Sequence, residues 1–198
     1  RAWKVLSESP VETILFLAHT ETDGSLGKPA LEALGAARSL NAALPGSTLV
    51  AGFVGEIVQA AANQIVGCGA AKFFGVAGAE FAQSRYATDA AAAEALCKAS
   101  GATIVIAPGT SRFARCLAGV AQRVGGRADT HVTGVSVQGD NVAVNRWYYR
   151  QRMEAVLQRS QRSWFIVVDP GSQPVWQGEA GTAAVESVAV ALADSARR

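Results

Sequence analysis

Apolar and polar positions along this chain follow two periods in turn. The run Thr13-Ile-Leu-Phe-Leu-Ala18 is almost unbroken in apolar residues, as suits a strand buried on both faces. A polar stretch, His19 to Gly24, follows it. Ala30, Leu31, Leu34, Ala37 and Leu40 then recur at three- and four-residue steps, predicting an amphipathic helix with Pro29 in its first turn. Pro45-Gly-Ser47 breaks that helix. Thr48 to Val54 predicts a second buried strand, and Ile57, Ala60, Ala61, Gln64 and Ile65 a second helix closed by Gly67 and Gly69. Lys72 to Ala77 predicts a third strand. The Ala-rich stretch Thr88 to Ser100 has high helix propensity and stops at Gly101. Thr103 to Ala107 predicts a fourth strand, after which Pro108-Gly-Thr-Ser111 opens a helix reaching Gly125.

Strand–helix units in succession predict an α/β fold: a doubly wound, mostly parallel sheet covered by helices and joined by right-handed crossovers. From Thr130 the period changes to two. Val132, Val135, Val137, Val142 and Val144 flank Gln138-Gly-Asp-Asn141, which predicts an added antiparallel hairpin with a Gly-Asp turn. Trp164 to Val168 predicts another strand, ended by Asp169-Pro-Gly171. Ala183 to Ala191 alternates weakly, as a last strand or an extended tail does. The loop at His19 to Gly24 lies beyond the carboxyl end of the first strand, where open α/β sheets place ligands.

Composition narrows the classes of function. With 49% hydrophobic and 17% charged residues among 198, the chain supports a large buried core in one domain. A net charge of +2 gives no footprint for nucleic acid or an anionic membrane. No apolar run approaches the roughly 20 residues that a bilayer span requires. The start Arg1-Ala-Trp-Lys4 lacks an initiator Met and a signal core, and is read as that of a trimmed cytoplasmic chain. Cys68, Cys97 and Cys116 stand far apart without a CxxC pair or an adjacent His, so they are expected as buried thiols, with no metal site.

Chemistry-bearing residues fall in three places. At Pro108-Gly109-Thr110-Ser111-Arg112, a Gly, two hydroxyls and the amides of a helix start can cradle a phosphate, with charge from Arg112 or Arg115. In the alternative reading Thr110 or Ser111 is an N-cap and the arginines line a solvated helix face. There is no GxxxxGK[ST] run and no GxGxxG after the first strand. His19 and Asp23 share a loop and could pair for acid–base work, but no GxSxG nucleophile accompanies them, and a structural loop histidine is the plainer expectation. His131 stands at a strand start. Between Arg146 and Arg162, Arg146, Arg150, Arg152, Arg159 and Arg162 are interleaved with Trp147, Tyr148 and Tyr149. That composition fits a partner-protein hot spot, an ordinary sheet surface or a single-strand nucleic-acid site, and the near-neutral total charge disfavours the last.

In order along the chain, these residues resemble one family. Thr13 to Leu40 (TILFLAHTETDGSLGKPALEALGAARSL) is similar to the opening strand, acidic-Gly loop and Pro-Ala-led helix of the amino-terminal domain of electron transfer flavoprotein α subunits. Thr103-Ile-Val-Ile-Ala-Pro-Gly-Thr-Ser-Arg112 resembles that family's strand–loop "A-P-x-T". His131-Val-Thr-Gly-Val135 resembles its "D-V-T" segment, with His in place of Asp. Gly181-Thr-Ala-Ala-Val-Glu186 is similar to its "G-x-A-x-V-E". The family's "R-P-x-Y-A-G-N-A" stands here as Arg146-Trp-Tyr-Tyr-Arg-Gln-Arg-Met153, keeping Arg146 and Tyr149.

The resemblance implies an adenine-nucleotide α-hydrolase-like fold over 13–190, an extension at 1–12, and at 191–198 a tail or the start of a linker to an FAD domain. It implies a non-catalytic electron-transfer protein, without catalytic residues, that docks a β-like subunit and helps shield FAD held outside this chain. Electrons would come from acyl-CoA or related dehydrogenases and pass to a membrane oxidoreductase. Arg146, Tyr149, Arg150 and Arg152 become the expected partner surface. Gly109, Thr110, Ser111 and Arg112 remain the expected cofactor pocket if the chain is instead a stand-alone binder of an adenine nucleotide such as AMP.

Overall fold

In a computed structural model, residues 11–193 and residue 196 are described. The expected extension at residues 1–12 therefore lies mostly outside the described residues, as do 194, 195, 197 and 198 of the expected tail. The strands are β1 (Thr13–His19), β2 (Thr48–Gly55), β3 (Phe73–Ala77), β4 (Ile104–Pro108), β5 (Arg127–Gln138), β6 (Asn141–Tyr148), β7 (Met153–Gln158), β8 (Trp164–Val168) and β9 (Val185–Ser187). The helices are α1 (Lys28–Ala43), α2 (Gln59–Gln64), α3 (Tyr86–Ser100) and α4 (Ser111–Arg123). One nine-stranded sheet runs in the order β7-β6-β5-β8-β4-β1-β2-β3-β9.

Strand β1 sits between β4 and β2, parallel to both, because its five central residues bury side chains on both faces. Ile14, Phe16 and Ala18 meet α1 and α2 in one core, with Phe53, Ile106 and Trp164. Leu15 and Leu17 meet α3 and α4 in the other, with Val105, Phe113 and Phe165. Alternate residues thus feed opposite layers, the doubly wound arrangement expected of the sequence. The helix ends also follow local chemistry. Pro lies in the first turn of α1, Gly101 closes α3 in a left-handed conformation (φ 64°), and Thr110 caps α4 by accepting from the Phe113 amide at 3.4 Å.

Strand β5 is two strands in one. Its first part pairs with β8 in parallel, and its second with β6 in antiparallel, through a two-residue turn in which Gly139 has φ 61°. Between them the register slips at Asp129 to Val132, and His131 takes φ 57° there. Such a bulge bends a strand. Beyond it Val132, Val142 and Val144 join the α1 side of the core, so the hairpin extends the apolar layer beside that helix.

Two elements differ from the sequence reading. Strand β7 falls in the arginine–aromatic stretch, where the sequence suggests a partner surface or an ordinary sheet surface but marks no separate strand. It is an edge strand with mostly exposed residues, so the one-sided burial that marks a strand in sequence is nearly absent. Of Ala183 to Ala191 only Val185–Ser187 pairs, adding to β3 in parallel. The Val188 amide still donates to Gly75 O of β3 at 2.9 Å, and Val188, Val190 and Leu192 then pack against the α3 side of the core.

Candidate functional site

The chain leaves β1 towards β2 and β3, then returns to the other side of β1 as β4. The carboxyl ends of β1 and β4 therefore flank a topological switch point, the usual ligand crevice of open α/β sheets. His19 ends β1 there, and its Nε2 shares a 2.9 Å hydrogen bond with Thr110 Oγ1 at the start of α4. The Phe113 ring meets the imidazole edge-on at 5.2 Å. Burial, and next the positive charge of Arg112, hold the His19 pKa below the usual imidazole value. The ring is therefore neutral at pH 7 and ties the first strand to the fourth.

The expected phosphate cradle spends its donors internally. The Gly109 amide donates to Val168 O at 2.7 Å, and a Cβ on Gly109 would stand 2.9 Å from that same oxygen. Arg112 is 7% exposed and turns beneath the helix, where Nη2 reaches Asp89 Oδ1 and Phe81 O, both at 2.6 Å. A solvated face is thus right for Arg115 and not for Arg112, which joins α3 to α4 through a buried ion pair. Ser111 is exposed at the helix start. Asp23 does not pair with His19. It accepts from the Ser25 amide (2.9 Å) and hydroxyl (2.6 Å), which lower its pKa. The hydroxyl of Thr20, wedged against Gly55, is buried without a partner among the described residues.

The second constellation lies at the β5–β6–β7 end of the sheet. Asp129, fully buried, accepts from Arg146 Nη1 (3.0 Å), from Trp164 Nε1 (2.8 Å) and from Arg159. Burial opposes its ionisation, but the hydrogen bonds from Arg159 and Trp164 and the two guanidinium charges outweigh this and lower its pKa. The Arg146 guanidinium also lies 4.5 Å from the centre of the Tyr148 ring. Arg146 is therefore mostly committed inside the fold, while Tyr149, Arg150 and Arg152 stand exposed at the β6–β7 turn. Tyr149, Arg150 and Gln151 have φ of 47°, 55° and 63°, three consecutive left-handed residues without a glycine. Beside them a groove of about 480 Å³ runs to His131, whose Nδ1 is 3.3 Å from Asp169 Oδ1.

The switch point thus gathers His19 with Thr110, and the turn gathers Tyr149 and Arg150 beside Arg146, with Arg152 exposed at its end. Sequence reasoning missed Asp129 and Asp89, the carboxylates that organise the arginines. For Asp89 the available signal was an acid in an Ala-rich segment, which is seldom buried unless paired; Asp129, between Arg127 and His131, carried no such mark. Among the described residues, no three of His, Cys, Asp and Glu are placed to hold a metal ion. No described helix is long and apolar enough to cross a membrane.

Fold and switch point together define an α/β domain of the doubly wound, nucleotide-hydrolase-like kind. The family model of the electron transfer flavoprotein domain matches residues 14–193, nearly the whole chain, and the chain belongs to that family. A search of the curated proteins finds no match. The resemblance seen in sequence is thereby met, and the role it supports is one in flavin-linked electron transfer.

Proposed function

We propose that this chain serves as the α-subunit-type domain of an electron transfer flavoprotein, docking a β-like subunit and shielding FAD held elsewhere in the assembly. The observation that carries this reading is the exposed edge at the β6–β7 turn. Tyr149 is 75% exposed, and Met153 (57%) and Val156 (53%) add exposed apolar side chains on the two faces of β7. Arg150 and Arg152 lie between Tyr149 and Met153. Tyr and Arg beside exposed apolar residues are the residue types of interface hot spots. Left-handed backbone at non-glycine positions tends to be retained at functional sites, and three such residues in a row form this turn.

The switch point offers little to the diphosphate of a flavin nucleotide. Gly109 N, Thr110 Oγ1 and Arg112 already bond to Val168, His19 and Asp89, which leaves the exposed Ser111 and Arg115 for such a group. No step is therefore assigned to flavin on this chain. When the assembly carries FAD, the electron chemistry is the cofactor's, and this domain contributes surface, orientation and exclusion of water. Acyl-CoA or related dehydrogenases are the electron donors in this reading. A cytoplasmic site suits the three free, buried cysteines.

One observation favours the rival reading, a binder of AMP-like nucleotides: the unpartnered Thr20 hydroxyl at the carboxyl end of β1. Two measurements separate the readings. In a pull-down against a β-like subunit, Arg150→Glu should weaken capture by about tenfold or more, the scale of a hot spot losing about 1.4 kcal/mol. Calorimetric titration of the isolated chain with AMP, ATP and FAD should show no binding at micromolar concentrations. Micromolar nucleotide affinity, or capture unaffected by the substitution, overturns the docking reading.

A further inference from the structure

At the end of the sheet opposite the switch point, the end of α1, the β5–β6 turn and the segment Arg159 to Arg162 enclose a cavity of about 520 Å³. Glu12, just before β1, lines it and is 9% exposed. Arg162 spends two donors on one oxygen of that carboxylate: Nε and Nη2 reach Oε1 at 2.9 and 2.6 Å. Among the described residues, the other oxygen, Oε2, is buried without a hydrogen-bond partner. A buried acceptor left unmatched is costly, and a donor entering from the cavity removes that cost.

The rest of the wall states what kind of donor fits. Leu44, Val137 and Val142 supply apolar surface, and Asp140 adds a second, exposed carboxylate. The arginines here already face carboxylates, Arg162 on Glu12 and Arg159 on Asp129. Of the lining carboxylates Asp140 is thus the one without an arginine, and it disfavours an anion. A neutral hydroxyl would satisfy the oxygen but leave Asp140 unmatched. An ammonium does both, with three donors and a charge-assisted bond.

We propose that this cavity binds a small amphipathic amine, whose ammonium donates to Glu12 Oε2 while its apolar body lies against Leu44, Val137 and Val142. The site lies apart from the switch point and from the β6–β7 turn, although Arg159 in its wall shares Asp129 with Arg146. Amide NMR of the full chain during titration with benzylamine, benzyl alcohol and benzoate tests it. Benzylamine should shift residues 12, 44 and 137–142 and saturate at millimolar concentration. Benzyl alcohol should bind about tenfold more weakly, as expected for loss of the charge-assisted bond, and benzoate not at all.

Glu12→Gln should erase the preference for the amine over the alcohol. Because that change also touches Arg162, Leu44→Trp serves as a second variant: it fills the apolar wall and should abolish the benzylamine shifts with Glu12 intact. Amine and alcohol binding equally, shifts confined to other regions, no shifts at the cavity, or a benzylamine affinity unchanged in Glu12→Gln would overturn the proposal.

Discussion

At the scale of single residues, the switch point works as a clasp. His19 closes β1 onto α4 through Thr110, and its lowered pKa means that the folded state favours the neutral ring. The unfolded chain takes up a proton near pH 6.5, while the folded chain does so only at lower pH. Between those values the unfolded state holds more protons, so stability rises with pH in that window. His19 thus costs nothing above pH 6.5 or so and destabilises progressively as pH falls below it. Urea midpoints at pH 7.5 and 5.5 should show a smaller acid loss for His19→Gln than for the native chain. Equal losses would remove His19 from the pH response. Asp129 and Arg112 behave differently, since each is committed to a charged partner and needs that partner to remain buried.

Elements meet at places where one side chain would be too many. Gly35 lies within α1, where alanine would ordinarily add helix stability of up to about 1 kcal/mol. Here a Cβ would stand 2.5 Å from Pro174 O, a backbone atom. Trp176, whose amide donates to Leu31 O at 3.0 Å, follows along the same helix and is buried. Overpacking of this kind costs about 1–3 kcal/mol, so the clash outweighs the propensity. Gly35→Ala should therefore lower the denaturation midpoint, and should raise the fluorescence contribution of a solvent-exposed Trp176. A stabilised variant would show that the 174–176 segment moves aside freely. The alternation of strands and helices was legible element by element, because each was marked by its own burial period. Strand β7 was not, because an exposed edge has no such period.

Over the whole molecule, two apolar layers share one sheet, and the cysteines report on both. Cys68 lies in the α1–α2 layer, Cys97 and Cys116 in the other. Burial pushes the pKa of both Cys97 and Cys116 to about 12, and raises that of Cys68 as well. Since the thiolate is the reactive form, native protein at pH 8 should react with a thiol reagent only as fast as it opens. All three thiols should appear together when urea unfolds the chain. One thiol reacting at once in native protein would mean that its layer opens independently. Of the candidate site, Thr110 and the exposed Tyr149, Arg150 and Arg152 could be named from sequence. The direction of Arg112 and the commitment of Arg146 to Asp129 could not.

The sequence by itself determined the parallel centre of the sheet, its four covering helices, the hairpin turn and the family, because periodicity, caps and turn residues act over a few neighbouring positions. Only the tertiary structure decided which charges are spent. Arg112 meets Asp89, Arg159 meets Asp129 and Arg162 meets Glu12 across long separations, at distances set by strand order and not by spacing along the chain. A guanidinium in sequence is a free charge. In the fold it becomes surface, clasp or ion pair according to the carboxylate that the topology brings beside it.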